Sequence, residues 1–313
     1  MWHHRDFDPA ALLAAKEAAG VRVSVVIPAR DEEAGVGGVV TAVRRAWLED
    51  VPLIDELVVI DSDSADATGR VAAEAGATVF SAKDIRPDVG PATGKGEALW
   101  KALHATTGDV LLFLDADLIE WGPHFVPGLL GPLLTDDEVQ LVKAVYARPM
   151  LDEQGREAEQ GGRVTELVAR PLLALHWPQL ASLVQPLSGE WAIRRSAFEQ
   201  LSVPMGYGVE IAAVIDVAQR YGVAALAQVD LGRRTHRHHR HDQLGPMALQ
   251  VLAAALVRYG GQLAVDQVML TQFAATAAGF RPQERAVNVA ERPPAASIPG
   301  YRDSLAQRRQ VSS

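Results

Sequence analysis

The sequence predicts an α/β fold, a mostly parallel sheet with helices on both faces, and three observations carry that expectation. Apolar runs of strand length alternate with helix-patterned segments through the first half. Polar or acidic groups follow the strand ends, at Pro28-Ala-Arg-Asp-Glu-Glu33, Asp61-Ser-Asp63, Lys95 and Asp115-Ala-Asp117. In a parallel sheet such ends share one edge, where ligands gather. Finally, Val110-Leu-Leu-Phe-Leu-Asp-Ala-Asp117 is an unbroken apolar run closed by two carboxylates, the character of a strand buried on both faces.

Arg22–Ala29 reads as the first strand, and Asp31-Glu-Glu33 supplies helix-start chemistry for a helix to about Trp47. The strand Glu56–Ile60 follows, then Asp61-Ser-Asp-Ser-Ala-Asp66 capping a helix from about Ala65 to Ala75. A short strand at Ala77–Ser81, a Gly/Pro-rich loop and a helix from about Gly96 to Ala105 lead to the strand Val110–Leu114. This alternation predicts right-handed crossovers. The second half is less regular. Val139–Tyr146, Trp191–Arg194 and Val223–Val229 read as strands, and Val164–Leu175, Val209–Arg220 and Pro246–Tyr259 as helices. Leu151–Gly162 is polar and reads as a mobile loop. After about Gly279 the chain turns to Arg, Pro, Ser and Gln, which predicts a tail either disordered or wrapped over a partner.

A chain of 313 residues with 48% hydrophobic and 22% charged residues is an ordinary globular composition with room for a real core. Its net charge of -9 argues against a broad nucleic-acid surface. The absence of cysteine excludes disulfides, thiolate zinc sites and cysteine nucleophiles. Met1-Trp-His-His carries no apolar leader, and the stretch Ala248–Val257, broken by Gln250, is too short to span a membrane. A cytoplasmic protein without integral membrane contact is expected.

Two adjacent carboxylates at a buried strand end repel each other unless a cation compensates them. A hard divalent ion carrying a nucleotide diphosphate would do so. Asp31, Glu32, Asp61 and Ser62 either bind a base edge and ribose hydroxyls or serve as helix-start and turn caps. Lys95 offers a point charge for phosphate. Its setting, Gly90-Pro-Ala-Thr-Gly-Lys-Gly96, is no P-loop, because the spacing is one residue short and Gly96 stands where a hydroxyl ligand is needed. Four histidines, His236, His238, His239 and His241, crowd one short segment. One imidazole joining Asp115 and Asp117 would give a mixed shell suited to Mg2+ or Mn2+, and Arg233, Arg234 and Arg237 would add charge for phosphates. Gly161-Gly-Arg-Val-Thr-Glu166 favours a small anion, with Arg163 among the donors, or else is a hinge. Glu210 is either an interior acid or a solvated helix residue.

Taken in order, these segments resemble the GT-A glycosyltransferases, and more closely the actinobacterial glucosyl-3-phosphoglycerate synthases. The resemblance runs over about residues 20–260. It is carried by Ile27-Pro-Ala-Arg-Asp-Glu-Glu33, Ile60-Asp-Ser-Asp-Ser64, Gly94-Lys-Gly-Glu-Ala-Leu-Trp100, Asp115-Ala-Asp-Leu118 and Phe125-Val-Pro127. It continues through Gly162–Leu173, Gln185-Pro-Leu-Ser-Gly-Glu190, Gly206-Tyr-Gly-Val-Glu-Ile211 and Ala227-Gln-Val-Asp-Leu-Gly232. It implies a GT-A fold, a Rossmann-like sheet with a smaller acceptor-binding C-terminal region. The implied division is an N-terminal extension 1–20, a nucleotide-sugar half 21–147, an acceptor-binding and metal-completing half 148–262 and a partly flexible extension 263–313.

The implied activity is transfer of glucose from UDP-glucose, or another nucleotide-glucose, to the 2-hydroxyl of 3-phosphoglycerate, with retention of configuration. Mg2+ is the implied cofactor, with Mn2+ also tolerated, and a homodimer the implied assembly. Pro28, Ala29, Arg30, Glu32, Asp61, Ser62, Lys95, Asp115, Ala116 and Arg234 fall to the donor by this resemblance. Arg163, Val164, Thr165, Gly189, Tyr207 and His238 fall to the acceptor. Asp115, Asp117 and His236 fall to the metal, and Glu210 with Asp117 to catalysis. Two positions depart from the family pattern. Arg30-Asp31 stands where Leu-Asn is common, and His238 where an Asn holds the acceptor, which makes acceptor affinity sensitive to pH. The rival activities are a GDP-mannose-dependent mannosyl-3-phosphoglycerate synthase, a polyprenyl-phosphate glycosyltransferase and a Mg2+-dependent nucleotidyltransferase.

Overall fold

The computed structural model describes residues 1–147, 150–151, 157–158, 162–234, 241–276 and 279–311. Eight strands form one sheet: β1 (Trp2–His3), β2 (Val23–Ala29), β3 (Glu56–Asp61), β4 (Thr78–Ser81), β5 (Val110–Phe113), β6 (Leu141–Ala147), β7 (Trp191–Arg194) and β8 (Leu226–Arg233). Their order is β1-β8-β6-β7-β5-β2-β3-β4, and all pairs are parallel except those of β7, which runs against both β5 and β6. The expectation of a mostly parallel sheet with helices on both faces is borne out.

Alternation along the strands builds the two cores. Val26, Val58, Ile60, Leu111 and Phe113 face one layer, with the helices Lys95–Ala105 and Val209–Tyr221. Val25, Ile27, Leu57, Val59, Val110 and Leu112 face the other, with the helices Val36–Arg44 and Phe125–Thr135. A period of two places neighbours on opposite faces, so strands buried on both sides read as continuous apolar runs. The register pairs Ala29 with Asp61 and Val26 with Phe113, which aligns the carboxyl ends of β2, β3 and β5 along one edge.

The ends of the chain depart from expectation. The first residues form an edge strand, with Trp2 opposite Val229, and a helix at Pro9–Ala19 capped by Asp8. Beyond Arg258 the chain makes a hairpin of Gln267–Thr276 with Gly279–Asn288, then pairs Glu291–Arg292 with Val203–Pro204. A last helix, Tyr301–Val311, buries Tyr301, while Arg309 donates to Thr107 O. The tail is therefore docked on its own domain. Its arginines hid this, because they are held by ion pairs rather than by apolar burial: Arg292 meets Glu97 through two nitrogens at 2.7 and 2.9 Å. Of the predicted loop Leu151–Gly162, Met150–Leu151 and Glu157–Ala158 pair as short strands, and most of the rest lies outside the described residues.

Candidate active site

Two close backbone approaches aim Lys95 at the end of β5. A Cβ on Gly96 would come within 1.8 Å of Pro204 O, and one on Gly94 within 2.3 Å of Met205 O, so only glycine lets the helix Lys95–Ala105 start there. Gly94 also has φ +134°, in the region L side chains avoid. The Met205 carbonyl accepts from Glu97 N at 2.9 Å, and the next helix, starting at Val209, brings Glu210 in its first turn. Lys95 Nζ consequently lies 2.8 Å from Asp115 Oδ1 and 2.9 Å from Glu210 Oε1.

Arg234 reaches the same carboxylate from the end of β8. Its Nη2 lies 2.9 Å from Asp115 Oδ2, 3.6 Å from Asp117 Oδ1 and 3.1 Å from Glu190 Oε1, and its Nη1 donates to the Tyr146 hydroxyl at 2.8 Å. Gly189 backs on Asp115 so closely that a Cβ would sit 2.2 Å from Oδ2. Beneath it, the buried Lys143 ammonium donates to Ser188 O at 2.6 Å and lies 5.4 Å from the Trp191 ring centre.

Electrostatics separate the two carboxylates at the strand end. Burial works to raise Asp115, but Lys95 and Arg234 override it and hold the carboxyl far below the usual range. Burial and the charge of Asp115 push Asp117 up, against the pull of Arg234. Glu190 is likewise raised by burial, and Lys143 is pushed down to about 7 by burial. A carboxylate that ionises reluctantly beside an ionised one is relieved by another cation. Asp115 and Asp117 both keep about a fifth of their side-chain surface exposed, 22% and 20%. Two such oxygen donors suit a hard divalent ion. Among the described residues no three acidic or histidine side chains cluster tightly enough to hold a metal. The third ligand expected from the sequence, His236, lies outside the described residues, as does His238, although the described chain stops only two positions short of His236.

The other expected residues fall into two groups. Ala29 O accepts from Ser62 N at 2.9 Å, joining the β2 and β3 ends, and Pro28 and Ser62 are half-buried there. Glu32 N donates to Thr68 Oγ1 at 2.7 Å, and Arg30 is exposed beside Asp31. Asp61 Oδ1 accepts from Ser64 N and Oγ at 3.0 and 2.6 Å, a turn cap at the end of β3. Ala116 is buried, its carbonyl against Gly35. Tyr207 is partly exposed near these charges. Burial raises its hydroxyl, and the charges of Lys95, Asp115, Glu210 and Asp117 act on it, while its N–H donates to Gln250. Arg163, Val164 and Thr165 open the helical segment that continues to His176, on a separate element that packs against the helix His241–Arg258. Val164 is a core side chain, so its backbone is what it offers a ligand.

Tyr146, Glu190 and Lys143 were given no role by the sequence reading. One signal for them exists. Lys143 is a lone charge inside Leu141-Val-Lys-Ala-Val-Tyr146, and a charge in a buried strand needs a partner.

Residues 24–202 match the family model of glycosyl transferase family 2. The glucosyl-3-phosphoglycerate synthase of Mycolicibacterium smegmatis is 46% identical over 297 residues, covering 95% of this chain and 96% of that protein. The enzyme of the same name from Petrotoga mobilis is 39% identical, covering 99% and 97%. A crystal structure of glucosyl-3-phosphoglycerate synthase from Mycobacterium tuberculosis, in complex with Mn2+, UDP-glucose and phosphoglyceric acid, superposes with a TM-score of 0.83 at 44% identity over 95% of this chain and 97% of that one. Another from that organism, with Mg2+ and UDP, gives 0.83 at 45% identity over 94% and 96%. The chain therefore belongs to glycosyl transferase family 2 and, within it, to the glucosyl-3-phosphoglycerate synthases.

Proposed function

We propose that this protein transfers glucose from UDP-glucose to 3-phosphoglycerate with a divalent cation, Mg2+ or Mn2+, as cofactor. The observation that carries the reading is the Asp115–Asp117 pair at the sheet edge, flanked by the cations Lys95 and Arg234. The likeness to the mycobacterial enzymes supports the choice of substrates. Asp117 and His236 hold the metal, with Asp115 on the ribose side. When bound, the metal neutralises the diphosphate and stabilises charge on the leaving oxygen. Pro28, Ala29, Glu32 and Ser62 receive the nucleoside, and Lys95 and Arg234 its phosphates. Arg163 and Thr165 orient the acceptor, and positioning of this kind removes several kcal/mol from a barrier.

In the reaction the bond from the anomeric carbon to the UDP oxygen breaks and a bond to the acceptor hydroxyl oxygen forms, while the hydroxyl proton passes to the departing diphosphate oxygen. Glu210 is ion-paired to Lys95 at 2.9 Å. An ammonium so close draws electron density from the carboxylate and weakens it as a nucleophile. We therefore assign Glu210 to stabilising the sugar or acceptor, with attack on the same face that the diphosphate leaves. None of the described helices is long and apolar enough to cross a membrane, which accords with small-molecule substrates and a cytoplasmic setting. A homodimer fits the outlying hairpin. One face of the hairpin packs on the helix His241–Arg258, while Met269, Phe273 and Phe280 stand 60%, 66% and 79% exposed, apolar surface that a second copy would cover.

The test is nucleotide diphosphate release with Mg2+ and 3-phosphoglycerate, supplied separately with UDP-glucose, GDP-glucose, ADP-glucose and GDP-mannose. Acceptor-dependent release from UDP-glucose is expected. Release from GDP-mannose alone would establish the mannosyl reaction instead, and none from any donor would overturn the synthase reading.

A further inference from the structure

Glu190 is fully buried, at 0% exposure, in a place where an apolar residue would pack at lower cost. Its Oε2 accepts the Tyr146 hydroxyl hydrogen at 2.6 Å. Its Oε1 faces Arg234 at 3.1 Å without completing a hydrogen bond. The Tyr146 hydroxyl in turn accepts from Arg234 Nη1, and the guanidinium carbon lies 5.2 Å from the Tyr146 ring centre. On its other side the guanidinium meets Asp115 and Asp117. Its buried Nε has no acceptor among the described residues.

Arg234 is thus pulled from two sides. Without Tyr146 and Glu190 it would settle wholly on the two aspartates. There it would compete with the cation they are arranged to hold and turn its charge away from a phosphate. We propose that Tyr146 and Glu190 are a positioning pair that holds Arg234 back from Asp117 and keeps it aimed at the donor's diphosphate. This rests on the transferase reading above and adds two residues to it. Neither touches substrate; both act through Arg234.

Tyr146→Phe removes the hydroxyl without changing charge, and Glu190→Gln removes the charge while keeping the shape. UDP binding is measured by calorimetry at saturating Mg2+, Mn2+ binding by electron paramagnetic resonance, and KM for each substrate by UDP release. UDP binding should weaken about fivefold in Tyr146→Phe and about tenfold in Glu190→Gln, the scale of a lost charge-assisted contact. Mn2+ binding should weaken in Glu190→Gln, and the KM for 3-phosphoglycerate should rise less than the KM for UDP-glucose in both, since Arg163 and Thr165 stand on a separate element. The sign decides the matter. Removing a negative charge near a phosphate site would by field alone tighten UDP binding, and lost positioning loosens it. Unchanged or tighter UDP binding in both variants would overturn the proposal, as would an equal rise in both KM values. If Glu190→Gln fails to fold, the charge-neutral Tyr146→Phe decides alone. Wild-type protein that binds UDP but turns over no UDP-glucose would sink the transferase reading and leave the positioning pair testable by binding. Wild-type protein that binds no UDP overturns both.

Discussion

Replacing Gly189 by alanine isolates the contribution of Asp115's position. Gly189 is not in the left-handed backbone region, so the new methyl group alone acts. That methyl would lie 2.2 Å from Asp115 Oδ2 and 2.8 Å from its Cγ, where real contacts under 3.0 Å essentially never occur. Carboxylate and turn must therefore part by about 1 Å in a close-packed interior. Asp115 cannot yield freely, because Lys95 and Arg234 grip its two oxygens at 2.8 and 2.9 Å. The turn is no softer, since Lys143 holds Ser188 O. A misplacement of about 1 Å at a catalytic site costs on the order of 100-fold in rate, or about 2.7 kcal/mol of transition-state stabilisation. Overpacking should lower stability by about 1–3 kcal/mol, which leaves the protein folded for assay. Steady-state UDP release and thermal denaturation read the two effects separately. Gly38→Ala is the control: nothing lies within 4 Å of its Cβ on the helix Val36–Arg44. It should keep wild-type kcat and gain up to about 1 kcal/mol of stability. A folded Gly189→Ala protein with wild-type kcat and donor KM would refute the claim that Asp115's placement governs turnover.

Three further substitutions address the scaffold. Burial, reinforced by Arg86, Arg308 and Arg195, pushes His104 down to about 3 from 6.5. The unfolded imidazole thus takes up a proton that the folded one refuses, so stability falls as pH drops from 6.5 toward 3. Urea melts at pH 7 and 5 should show wild type losing about 2 kcal/mol more than His104→Phe, and an equal loss would contradict the assignment. Lys143 acts with the same sign in a higher pH window. Burial lowers its ammonium to about 7, so wild-type stability should rise as pH climbs from 7 toward 10, and Lys143→Met should lack that rise. Arg292→Met strands the buried Glu97 carboxylate, leaving only Lys101 at 3.1 Å, and should cost about 3–5 kcal/mol by chemical denaturation. Adding Glu97→Gln should recover part of that loss, and strict additivity would rule out the coupling.

What could be read from the sequence followed the physics of each element. Strands buried on both faces declare themselves as apolar runs, and Trp191–Arg194 and Val110–Phe113 were legible for that reason. The direction of β7 was not, because neither periodicity nor composition encodes whether a strand runs parallel or against its neighbours. Arg-rich segments after Gly279 looked unable to build a core, yet Arg292 and Arg309 dock through carboxylates and carbonyls far away in the chain. Such pairings have no local signature. Asp61 carries two readings in the sequence because a cap and a ligand present the same side chain, and its bonds to Ser64 show the cap.

The site divides along the same line. The Asp115–Asp117 pair was visible because two carboxylates closing an apolar run violate the expectation for a buried strand, and Lys95 because glycines bracket it. Glu190 and Tyr146 were invisible in role, since each looks ordinary until Arg234 is placed between them and the aspartates. Arg234 itself joins the two kinds of information. It is the last described residue before the segment holding His236 and His238, and it already spans Asp115 and Asp117. The described chain therefore ends, two positions before His236, beside the carboxylates that the proposed function has His236 join. A divalent ion bound there would meet carboxylates that Lys95 and Arg234 already contact. Under the proposed function such an ion would take the place of Arg234 at Asp117, the more distant carboxylate at 3.6 Å, while Lys95 would keep its hold on Asp115 at 2.8 Å. Unequal grips on two neighbouring carboxylates give one site both a rigid post and an exchangeable one.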